Sequence, residues 1–157
     1  MGFSLIELLI VVAIILIIAA IAIPNFVRAR IRANESSAAA GLRVVNNALA
    51  TYSGTYQLCG YPNSLTRLAP ANPSSNAAAN LLDGPMANDN FMKSGYNYTY
   101  VLTLGTGDCA GPPGLTYEAE AQPVSVGQTG QRGFFTDDSF VIRADLDGDA
   151  DAASPAL

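Results

Sequence analysis

The chain has 157 residues and a formal net charge of -5, with 50% of its residues hydrophobic and only 13% charged. It holds no histidine, which excludes a histidine general base, a Ser-His or Cys-His nucleophile pair and histidine metal ligands; two cysteines alone cannot complete a zinc site. Its one basic cluster is Arg28, Arg30 and Arg32, short of the basic face that nucleic acid requires, and neither a Gly-rich phosphate loop nor a Gly-x-Ser-x-Gly elbow is present.

From Phe3 to about Tyr52 the only glycine is Gly41 and the only proline is Pro24, which predicts one long helix in two halves. Between Phe3 and Ile23 the residues are Phe, Leu, Ile, Val and Ala with a single Ser, and Glu7 is the one charge. Twenty-one helical residues rise roughly 31 Å, about the thickness of a bilayer's hydrocarbon core. A carboxylate in such a span is costly and marks a functional position with a partner to be found. Pro24 lacks a backbone donor and is expected to kink or loosen the helix. Arg28 to Asn34 is polar. Beyond it Ala38, Leu42, Val45, Leu49 and Tyr52 recur at alternating spacings of four and three, one helical face, with Arg43, Asn46, Asn47 and Ala50 off it. An anchor followed by a separate helix is the alternative division.

Residues 53–92 are punctuated by Gly and Pro and read as loops. Within them Ser64 to Leu68 is a short helical turn capped by Ser64, Ala77 to Leu82 a second turn, and Ala69 to Asn80 an exposed low-complexity stretch. Strands follow. Tyr96, Tyr98 and Tyr100 alternate with Asn97, Thr99 and Val101, and Leu115, Tyr117, Ala119 and Ala121 alternate with Thr116, Glu118 and Glu120. Phe134-Phe135 and Ser139 to Arg143 form a last hairpin turned at Asp137-Asp138. Three or four such strands make an antiparallel sheet with one face on the amphipathic half-helix. The expected fold is α+β: a long N-terminal helix packed on a small antiparallel sheet. Asp145, Asp147, Asp149 and Asp151 alternate around Gly148. A tight loop of this kind can aim several oxygens at one Ca²⁺, although no Glu closes an EF-hand; the alternative is a solvated acidic segment.

Gly2-Phe3-Ser4-Leu5-Ile6-Glu7-Leu8-Leu9, Val11 to Ile15 and Ala19 to Phe26 closely resemble the N-terminus of type IV pilins and type II secretion pseudopilins. Gly130 to Asp137, leading to Val141-Ile142-Arg143, is similar more loosely to the final hairpin of some bacterial pilin-like proteins. The resemblance implies that a prepilin peptidase cuts between Gly2 and Phe3 and methylates the new amine of Phe3. Residues 1–2 are then the remnant of a leader whose basic part lies upstream. Residues 3–27 are the transmembrane and filament-core half-helix, and residues 28–157 the head, including the amphipathic half-helix 28–52. It further implies that Glu7 pairs with the Phe3 amine of an adjacent copy, and that Pro24 is the family's helix-disturbing proline. Taken alone, the arginines just past the apolar run would face the cytoplasm; the resemblance demands the opposite orientation. In an exported domain Cys59 and Cys109 read as a disulfide, against two free buried thiols in a reducing compartment. Pseudopilins of this kind often carry calcium near the C-terminus, which bears on the Asp145–Asp151 segment, although no cofactor is required.

The resulting reading is a pilin: a structural subunit, not an enzyme, that waits in the bacterial inner membrane and assembles through its apolar helix. The product is a homo-oligomeric, helical, cell-surface or periplasmic filament. Its partners are other copies, the prepilin peptidase and the pilus or type II secretion assembly machinery, with no nucleic acid. A secretion pseudopilin is the first alternative and a membrane-anchored binding domain that never polymerises is the second.

Overall fold

The computed structural model describes residues 4–157. Helix α1 runs from Leu5 to Thr55 without interruption, so the two predicted halves are one element. It passes through Pro24; the Asn25 amide donates to the carbonyl of Ile21 (3.0 Å) one turn below. The helix ends where Thr51, Ser53 and Thr55 turn their hydroxyls back onto the carbonyls of Asn47, Ala50 and Thr51. Such bonds compete with the helical ladder, and Gly54 adds backbone freedom there.

Five strands follow: β1 Asn90–Lys93, β2 Tyr96–Leu104, β3 Thr116–Pro123, β4 Gly133–Asp137 and β5 Arg143–Asp145. They form one antiparallel meander in chain order. The alternation in β2 and β3 sends Tyr96, Tyr98, Tyr100, Tyr117, Ala119 and Ala121 to one face, where they are buried with Phe134 against Ala38, Leu42, Val45, Leu49 and Tyr52 of α1. The predicted helical face is thus the core face.

Four details differ from the sequence expectation. β1 falls at the end of the stretch read as loop. Its residues are mostly exposed and show no alternation, and it exists because Ser94 and Gly95, both at positive φ (51° and 73°), close a two-residue hairpin onto β2. Ala77 to Leu82 is not helical. The amides of Ala79, Asn80, Leu81 and Leu82 donate instead to carbonyls of Arg67, Ala69 and Leu68, beside the short 3₁₀ turn Leu65–Leu68 that Ser64 does cap. Ser139 to Ile142 is not strand: Asp137 accepts from the Ser139 amide and hydroxyl, and Phe140 turns through φ 60°, so β5 begins only at Arg143. Leu115 lies just before β3 and is exposed.

The outer edge of β5 is occupied. Ala144 donates to the carbonyl of Pro155 (3.0 Å) and Leu157 to that of Ile142 (2.8 Å), so residues 155–157 lie along it. At the other edge, β1 is four residues long and ends on Lys93.

Candidate assembly site

No residue from Ser4 to Asn34 is buried. Leu, Ile and Val side chains between Leu5 and Val27 lie 42–82% exposed, all round the helix. A helix apolar on every side needs a non-aqueous neighbour: lipid, or other helices. By length and composition α1 is able to cross a membrane. Glu7, in the first turn of the helix, is exposed within this surface, and among the described residues no donor reaches its carboxylate. Gly2 and Phe3, the expected cleavage and methylation positions, lie outside the described residues, and so does the Phe3 amine expected to meet Glu7. Pro24 lies on the same free half of the helix.

The transition from free helix to head is made by a residue that the sequence reading passed over. Glu35 is 6% exposed. One carboxylate oxygen accepts the amides of Gln131 and Arg132 (3.0 and 3.2 Å), and the other accepts Nε and Nη2 of Arg132 (3.1 and 3.0 Å). A buried carboxylate is tolerable when charge-paired and saturated with donors in this way. It is the one ion pair among the described residues. The Arg132 guanidinium also lies 5.6 Å from the centre of the Phe134 ring, within cation–π range. Glu35 precedes Ala38 by three residues and Leu42 by seven, so the periodicity of the core face would have placed it inward.

Asn46, expected off the core face, is buried. Its amide donates to Thr136 (2.8 Å) and its carbonyl accepts from Tyr117 (3.0 Å). Three further hydroxyls tie β2 to the surrounding chain: Tyr96 to the carbonyl of Arg132, Tyr98 to that of Ala38 and Tyr100 to that of Pro62. Burial pushes the Tyr98 hydroxyl up to about 12 and raises Tyr96, Tyr100 and Tyr117 as well. All four therefore remain donors at neutral pH. The tyrosine stripe is core and anchorage.

Cys59 and Cys109 form the expected disulfide. It ties the segment just past α1 to the loop between β2 and β3.

The chain is 55% identical over 47 residues to the type IV major pilin protein PilA of Myxococcus xanthus (strain DK1622), a match covering 30% of this chain and 21% of that protein. That match and the long apolar N-terminal helix fit the type IV pilin family. No family model and no solved structure matches it. A pilin-like arrangement nevertheless stands on the helix and sheet themselves.

Of the four aspartates expected to form a loop, three have carboxylates that are separately employed. Asp145 accepts the amide of Asp147, Asp149 accepts from Gln122, and Asp151 accepts the Ala153 amide and the Ser154 hydroxyl. The Ser154 and Ala153 bonds hold the Asp151 carboxyl below its usual range. Across the outer sheet face burial, then Asp149 and Glu118, raises the Glu120 carboxyl. Among the described residues no three acidic or cysteine side chains are grouped to share a metal ion.

Proposed function

We propose that this chain is the structural subunit of a type IV pilus-like helical filament. One observation carries the reading: a half-helix apolar on every side, exposed, and interrupted as far as Ile23 only by Glu7. Such a surface has two homes, the bacterial inner membrane before assembly and the packed helices of a filament after it. Moving between them never exposes it to water. Likeness to a major pilin over 47 residues supports the same reading.

In this account the prepilin peptidase cuts between Gly2 and Phe3, and the Phe3 amine is methylated. The amine of an incoming copy is then held by Glu7 of its neighbour as pilus or secretion machinery draws the subunit out. Leaving one partner of such a pair buried alone costs about 3–5 kcal/mol, so Glu7 checks register on every addition. No chemistry on a substrate is involved.

The test is Glu7→Ala in cells, with two readouts: subunit level in the inner-membrane fraction and filament yield after shearing. Insertion is expected to persist, because alanine suits hydrocarbon better than a carboxylate, while filaments disappear. Glu7→Gln keeps an acceptor without the charge and is expected to recover little. Normal filaments from Glu7→Ala would overturn the assembly role. A wild-type chain that inserts but yields no filament under any condition would favour a membrane-anchored binding domain.

A further inference from the structure

We infer that the cleft between α1 and the loop before β4 binds the phosphate of an anionic phospholipid headgroup, holding the head against the bilayer before assembly. The inference rests on the membrane reading above and goes beyond it by naming a lipid class and the residues that receive it.

The cleft is open, about 420 Å³, and is lined by Arg28, Ile31, Arg32 and Glu35 of α1 with Arg132 and Leu146 of the head. Arg28, Ile31, Arg32 and Glu35 stand at i, i+3, i+4 and i+7, one helical face. That face continues upward as the buried stripe Ala38, Leu42, Val45, Leu49 and Tyr52. Arg28 and Arg32 therefore lie beneath the head, between its lower rim and the apolar run. Glu35 does not neutralise them, because all its oxygen contacts go to Gln131 and Arg132. Among the described residues no hydrogen bond or ion pair engages the guanidinium of Arg28 or Arg32. The cleft thus presents two uncommitted guanidinium forks beside a third that is 39% exposed.

Its height matches a headgroup. The apolar run ends at Val27, and a helix rises about 1.5 Å per residue. Arg28 to Arg32 then lies within roughly 8 Å of the hydrocarbon boundary, the depth of one interfacial layer. A guanidinium binds phosphate oxygens in bidentate fashion. Leu146, 68% exposed on the rim, and Ile31 supply apolar surface for the glycerol and upper acyl region. Asp145 and Asp147 flank Leu146 in sequence. Long-range attraction is thereby weakened, and recognition rests on donors inside the cleft. The site also accounts for arginines that follow the span on the side where the head lies, against the usual charge bias of membrane proteins.

The experiment reconstitutes the full chain into vesicles of phosphatidylcholine with a minor fraction of phosphatidylglycerol. Flotation scores incorporation, and native mass spectrometry of the extracted protein then counts retained lipids. Wild type is expected to retain phosphatidylglycerol about fivefold or more above its bulk ratio. Arg28→Gln/Arg32→Gln is expected to fall to the bulk ratio, while Arg30→Gln, outside the cleft, keeps the enrichment. All three positions are exposed, so folding is not at issue. Absence of enrichment in wild type overturns the proposal, as does equal loss in Arg30→Gln, which would make the arginines an unspecific collar. If the double variant keeps the enrichment, the lipid is held elsewhere and the proposal fails. A chain that does not float with vesicles overturns the membrane reading, and this proposal with it.

Discussion

From Leu5 to Val27 nothing on α1 is buried, whereas between Glu35 and Tyr52 the same helix buries ten residues against the sheet. Each half carries a carboxylate near its start. Glu35 has four donors within the chain, and Glu7 has none among the described residues. The difference separates stability from assembly. The upper half is satisfied by the fold of a single copy. The lower half is left unfinished by that fold and needs a non-aqueous neighbour to complete it. Sequence changes in one half should therefore leave the property of the other almost untouched.

The strongest way to break this comparison is to exchange the fates of the two glutamates. Glu35→Ala leaves the amides of Gln131 and Arg132 and the partly exposed Arg132 guanidinium without their shared acceptor and should cost the head about 2–5 kcal/mol. Glu7→Ala should leave the head within about 0.5 kcal/mol of wild type, as expected away from any structured contact. Near-UV circular dichroism of the full chain in detergent reads this directly, because all seven tyrosines lie between Tyr52 and Tyr117. If both variants melt alike, the two halves are not independent.

Next in size is the disulfide. Cys59→Ser/Cys109→Ser frees a loop of 50 residues' separation and should cost about 2–4 kcal/mol. The same melt measures it, and insertion of the lower half into membranes should be unchanged by flotation.

A sharper probe uses two glycines of the upper half. At Gly41 a Cβ would fall 3.0 Å from the Tyr98 ring, so Gly41→Ala should destabilise by about 1–3 kcal/mol through overpacking. At Gly54 a Cβ meets nothing within 4 Å, and Gly54→Ala should stabilise by about 0.5–1 kcal/mol through reduced backbone entropy. Opposite shifts in midpoint on denaturant titration are the expected result; equal shifts would mean that close approach to Tyr98 does not set the residue at 41.

The smallest expected effect is that of calcium. Asp145, Asp149 and Asp151 already accept bonds from their own surroundings. Replacing millimolar Ca²⁺ with a chelator should therefore leave the melting temperature in place. A calcium-dependent rise would mean that the loop rearranges around an ion, since binding to the native state adds stability by mass action.

The long helix and its core face were legible because composition and period speak clearly over 50 residues. The Tyr96-Tyr98-Tyr100 alternation was equally clear, and so was the Ser64 cap. β1 was not legible: Asn90-Phe91-Met92-Lys93 has no period, and only its closure onto β2 makes it a strand. Asn46 was misplaced because a polar residue beside an apolar stripe reads as solvated until its partners, Thr136 and Tyr117, are brought 90 and 71 residues closer. Glu35 stands on the period of the stripe itself, but a charge reads as solvated while its partner, Arg132, lies 97 residues away. Of the candidate assembly site, Glu7 and the apolar run stood out at once, but a partner on another molecule, as proposed for Glu7, is visible in no single chain.

Residues 155–157 lie along β5, and β1 is short and ends on a lysine. An open sheet edge is a template for any other strand. A protein crowded with its own copies would be at risk of joining them through such edges, in the wrong register. With one edge occupied by its own chain and the other stubby and charged, the head cannot readily seed a cross-β aggregate. On the reading proposed above, contact along the helices is left free of competition from sheet pairing.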